Sequence, residues 1–180
     1  PRKLLGYGFT LDLTHVALVL LPGSLVAVIG ALAVAPLARL GGHKATLYTG
    51  CAAMAAGYGA MALWHANLAA FIVTMCITNL GTGIVNAGVP VVLAERAARA
   101  STGIATGLFN TAKGVGGSIS GAAFAAVLTS IAIAHTSVPR QRAYVVVWLV
   151  CGACALVSLL VVVTATGRDR EAAADAGADQ

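Results

Sequence analysis

Five stretches of this chain, residues 14–37, 45–66, 68–93, 103–134 and 143–165, hold a single full charge between them, Lys113. Each exceeds the roughly 20 residues a helix needs to cross a hydrocarbon core about 30 Å thick. In lipid, a helix satisfies its backbone groups internally and an open strand does not, and none of the five runs alternates with the period of two that a barrel strand shows. The expected fold is therefore all-α, a polytopic membrane protein with about five transmembrane helices. Composition argues against a soluble domain, since charged residues make up 9% of the chain where a soluble domain carries roughly 25%.

The connections between the runs are short, which leaves little room for a water-soluble active site, and no enzymatic activity is expected. Counted on alternate faces, Arg39, Lys44, Arg96, Arg99, Arg168 and Arg170 fall on one side and Arg2, Lys3, Arg140 and Arg142 on the other. The positive-inside tendency places the first side in the cytoplasm. Residues 1–167 then form the membrane domain. Residues 168–180, an Ala/Asp-rich segment with no hydrophobic face, are expected to be a disordered cytoplasmic tail.

The fourth run poses the sharpest chemical question. At 100° per residue, Gly103, Gly107, Asn110, Gly114, Gly117 and Gly121 fall on a stripe roughly 80° wide. Gly103 with Gly107, and Gly117 with Gly121, match the small-xxx-small spacing that lets helix backbones approach in lipid. These glycines are expected to serve helix packing, and a smooth face also lets one helix slide or rock on another. Lys113 flanks the stripe together with Thr106, Asn110 and Ser120. A lysine at mid-helix costs about 2.5–3.5 kcal/mol on insertion scales, so it is expected to face a cavity or a partner. The competing possibility, snorkelling of its long stem to an interface, has a poor reach from about ten residues inside the run.

The third run has a polar face of its own. Asn79, Thr82 and Asn86 lie within about 60° of one another, with Gly81 and Gly83 between them and Pro90 as an expected kink. Asparagines there either hydrogen-bond a neighbouring helix or line a water-filled path. Asp12 and His15 read as a solvated cap of the first helix. No histidine pair stands at metal-ligand spacing with a carboxylate or cysteine, so no metal and no cofactor are expected. Cys151 and Cys154 form a C-x-x-C, which raises a membrane thiol/quinone oxidoreductase as a third possibility. Their apolar flanks favour plain packing instead.

The segments "ALVLLPGSLVAVIGALAVAPLARLGG" (17–42), "NLGTGIVNAG" (79–88) and "ERAARASTGIATGLFNTAKGVGGSISGAA" (95–123), with the closing apolar helix before a charged tail, carry a resemblance. In order and spacing the sequence resembles the C-terminal half of a major facilitator superfamily transporter. Within it, the sequence is most similar to the fourteen-helix drug:proton antiporters of the EmrB/QacA type. The resemblance implies an integral protein of the plasma (inner) membrane, a multidrug efflux antiporter whose partners are the bilayer, a small-molecule substrate, protons and a missing N-terminal half, and no nucleic acid. Glu95 stands at a helix end and Asp12 near the outer surface, so the coupling acid is expected outside these residues.

Residues 38–44 resemble the second-half copy of the family's cytoplasmic loop motif. Arg39, Gly41 and Lys44 match it, and Ala38 and Gly42 depart at its acidic and second basic positions. Arg39, Gly41 and Lys44 are thus candidates for a conformational role. Asn79, Thr82, Asn86, Asn110 and Lys113 are the candidates for lining the substrate path. The alternative function is a non-transporting accessory or remnant membrane protein.

Overall fold

The computed structural model describes residues 12–65, 67–96, 102–131 and 141–178, and they form five helices. These are α1 (Leu13–Leu32), α2 (Val34–Leu63), α3 (Leu68–Arg96), α4 (Thr102–Ser130) and α5 (Gln141–Ala178). Arg2, Lys3, Arg99 and Arg140, used above to orient the chain, lie outside the described residues. By length and composition, α1, residues Leu68–Glu95 of α3 and residues Gln141–Thr164 of α5 are apolar enough to cross a membrane. In α2 and α4, glycines and polar side chains dilute the apolar content.

Asp12 opens α1, its carboxylate accepting a 2.9 Å bond from the Leu13 amide. The first turn of direction differs from the expected loop over 38–44. Ala33 keeps helical dihedrals, and the amides of Ala33 and Leu37 continue the helical ladder to Ile29 and Ala33, at 2.9 and 3.0 Å. The chain stays helical until Gly42, whose φ of 80° and ψ of 167° break α2. That conformation is open to glycine almost alone, which accounts for glycine at a position where the resembled motif carries a basic residue. Thr46, buried to 1% exposure, secures the restart by donating its hydroxyl to the Gly42 carbonyl at 3.2 Å. Gly42→Ala is expected to cost about 1–3 kcal/mol through strain alone, read as a lower midpoint of thermal unfolding in detergent. An unchanged midpoint would show that the turn tolerates a side chain.

α3 sits between α1 and α2. An added Cβ on Gly83 would meet the carbonyl of Ala27, one on Gly30 the carbonyl of Leu80, and one on Gly57 the backbone and hydroxyl of Thr78. Gly81 backs onto Gly50 and Met54 in the same way. The rising pairs 27 with 83 and 23 with 79 make α1 and α3 parallel. The falling pairs 50 with 81 and 57 with 78 make α2 and α3 antiparallel. Ile84, 2% exposed, is gripped from both sides, with its amide near Gly30 and its Cγ2 near Gly50.

α5 runs antiparallel to α2 on the outer side. Tyr48 donates its hydroxyl to the Val162 carbonyl at 3.3 Å, and Gly152 lies beside Tyr58 and Gly59. Near the start of α5, the Trp148 ring stands 5.6 Å from His65 and 6.2 Å from Phe71, tying together one end of α2, α3 and α5. Tyr144 joins the same cluster at 6.4 Å. Aromatic rings of this kind favour the membrane–water boundary. The large apolar side chains on the outside, such as Leu18, Leu25, Leu156 and Leu160, each more than half exposed, would aggregate in water and are at ease in lipid.

Helical backbone continues to Ala178, where the sequence led to an expected disordered tail from 168. Extending a helix that already exists needs no costly nucleus, and the alanine-rich "EAAADA" at 171–176 has high helix propensity. At 1.5 Å per residue the 38 residues of α5 make a rod of about 57 Å, well beyond a 30 Å core.

Candidate functional site

On α3, Asn79 is half-buried against α1: its side-chain amide donates to the Met75 carbonyl at 2.9 Å, and a Cβ on Gly23 would lie 3.0 Å from the same nitrogen. Thr82, also half-buried, donates its hydroxyl to the Thr78 carbonyl at 2.9 Å. Both side chains thus turn these bonds on their own helix. Asn86, one turn further on, is exposed.

α4 presents a different surface. Asn110 and Lys113 are exposed, as are residues 111–120 throughout. No heavy atom of a neighbour stands within 4 Å of a Cβ built on Gly103, Gly107, Gly114, Gly117 or Gly121. The glycines expected to pack helices together therefore line an open face among the described residues. The close approaches are made instead by Gly23, Gly30, Gly50, Gly57, Gly81 and Gly83. Thr111, Ser118 and Ser120 donate to the carbonyls four residues earlier, at 3.0, 3.1 and 2.7 Å, so their hydroxyls are satisfied without a second helix.

The loop candidates gather at the opposite end from Trp148. Arg39 and Gly41 are exposed beside the Gly42 break, and Lys44 is half-buried after it. Sequence reasoning missed the contact this break creates, with His43 Nε2 lying 2.8 Å from Glu95 Oε1 at the end of α3. Fifty-two residues separate the pair, and no local pattern announces it. With side chains 36% and 52% exposed, its contribution to stability is at most about 1 kcal/mol, so its effect is to set the position of the turn against α3. The packing glycines did carry a signal: Gly23 with Gly30 and Gly50 with Gly57 are each seven apart, two helical turns on one face.

An open groove of about 500 Å3 lies between α2 and α5, lined by Tyr48, Thr49, Ala52, Leu159 and Val163. It is almost wholly apolar and includes no residue of α4, so it suits lipid tails better than a polar solute. Cys151, half-buried, and Cys154, exposed, are free thiols one turn apart on α5. Among the described residues, no group of three or more His, Cys, Asp or Glu is placed to hold a metal.

The family model of the Major Facilitator Superfamily matches residues 2–121, from before α1 into the middle of α4. The chain belongs to the major facilitator superfamily. No curated protein and no solved structure matches it. Members of this superfamily are membrane transporters, which accounts for a bundle whose outer faces are apolar. For a major facilitator chain, the matched region contains the α1–α3–α2 core, the Gly42 turn and both Asn110 and Lys113 of the exposed α4 face. α5 lies outside the match.

Proposed function

We propose that this chain is part of a proton-coupled secondary exporter, a drug:proton antiporter of the EmrB/QacA type, that moves amphipathic or hydrophobic small molecules outward across the plasma (inner) membrane. Its C-terminus is cytoplasmic, and it works with the N-terminal half of the transporter. The observation that carries this reading is the open face of α4. In an α4 that crosses the bilayer, a lysine and an asparagine near the helix middle, beside bare glycine backbone, are too costly against lipid tails, so on this reading they line a wet path between helical bodies. Transport then proceeds by rocking those bodies about a midplane site. The close backbone approaches of α1, α3 and α2 support this, since helices packed in that way can move as one body. Asn110 and Lys113 line the path from α4, and Asn79, Thr82 and Asn86 line it from α3. Arg39, Gly41 and Lys44 steer the cytoplasmic turn.

The test uses everted membrane vesicles from cells expressing the whole natural reading frame, energised so that the interior is acidic. Amphipathic dyes of both charges are offered, accumulation of at least one is expected, a protonophore should collapse it, and Asn110→Ala or Lys113→Gln should slow it by tenfold or more. Residues 1–180 expressed alone are expected to give none. Accumulation indifferent to the protonophore would remove proton coupling from the proposal, and accumulation by the 180 residues alone would remove the need for another half.

A further inference from the structure

Lys113 is the twelfth residue of α4, about 16 Å along the axis from its start at 1.5 Å per residue. Its side chain is exposed, as is that of Asn110 one turn earlier, and Cβ atoms built on Gly114 and Gly117 would meet open space. An ammonium, an amide and bare backbone therefore share one uncovered surface. Among the described residues, no acidic side chain is paired with Lys113. Of the chain's six acidic residues, Asp12 begins α1, Glu95 is held by His43 at the end of α3, and Asp169, Glu171, Asp175 and Asp179 follow the apolar part of α5 in the sequence. Because α1 and α3 are parallel, Asp12 and Glu95 mark opposite ends of the bundle, with Lys113 between them.

We propose that Lys113, with Asn110, forms an anion-binding site, and that the solute taken by this protein is an amphipath carrying a carboxylate or similar anionic head. The inference rests on the transporter reading for its physiological meaning, since it names the substrate class of that path. Size supports it. At an effective dielectric constant of about 20, a unit charge about 6 Å from the ammonium is favoured or disfavoured by about a hundredfold in affinity, according to its sign. The face that welcomes an anionic head thus rejects a cationic one. The asparagine amide adds a donor to the anion, and the glycines leave room for its tail against the helix.

The probe is cis-parinarate, a fatty acid whose fluorescence rises away from water, titrated onto the chain in phosphatidylcholine nanodiscs with empty discs subtracted. Its uncharged methyl ester is the matched control. The acid is expected to bind at least tenfold more tightly than the ester. Lys113→Gln should reduce that preference to near unity, Lys113→Arg should retain it, and Arg142→Gln, at an exposed cation on the first turn of α5, should leave it unchanged. Equal binding of acid and ester, as when a carboxylate from another polypeptide already neutralises Lys113, overturns the proposal, and so does a preference that survives Lys113→Gln. The readout is binding, without transport. Charge preference with no dye accumulation in vesicles defeats the transporter reading alone, and accumulation without charge preference defeats the anion site alone.

Discussion

Replacing Gly83 with alanine is expected to cost about 3 kcal/mol, the upper end of the range for overpacking, and to loosen α1 from α3. The added methyl would meet the Ala27 carbonyl of the facing helix. Backbone on a packed helix cannot swing aside as a flexible side chain can. In lipid, close backbone approach is itself the main source of helix association, so pushing the helices apart removes contacts along the whole seam. Gly117→Ala provides the contrast. Its Cβ would point into open space, and the residue gains helix propensity of about 1 kcal/mol. Unfolding free energies measured in detergent micelles or bicelles should separate the two variants by several kcal/mol. Comparable losses would mean that the α4 stripe is a packing seam after all.

Ile84→Ala is the second large effect, expected to cost about 2–5 kcal/mol, the usual range for truncating a buried isoleucine. Ile84 is 2% exposed and lies between Gly30 and Gly50, neither of which has a side chain to fill the space it leaves. The loss is one of dispersion contacts and a residual cavity, terms that persist in a membrane where the hydrophobic drive between helices is gone. Ile104→Ala, at a site 75% exposed on α4, should fall within about 0.5 kcal/mol of the parent. The same unfolding measurement decides it. A small effect at Ile84 would mean that α3 is not the central helix of the bundle.

Much of the architecture was legible because the bilayer makes the rule simple. An apolar run of sufficient length must become a helix, so the five helices follow from residue order alone. Boundaries moved where backbone conformation outweighed hydropathy. Ala33 continues the helix that Gly42 ends, and only the dihedral of Gly42 shows which of the two adjoining glycines takes the turn. The charged segment after 167 stays helical because it grows from an existing helix, a benefit that its own composition does not reveal.

The candidate site divides along the same line. That Lys113 is a cation inside an apolar run can be read from the letters. Which glycines touch something cannot. The stripe of α4 and the pairs Gly23/Gly30 and Gly50/Gly57 obey the same small-residue logic on a helical wheel, and only the docking of α3 between α1 and α2 makes the second group contacts and leaves the first uncovered. His43 and Glu95 meet for the same reason, because the Gly42 turn sends α2 back along α3. Sequence periodicity specifies the face on which a residue stands, since that depends on one helix. The neighbour opposite that face depends on two helices, and it was settled only when they packed.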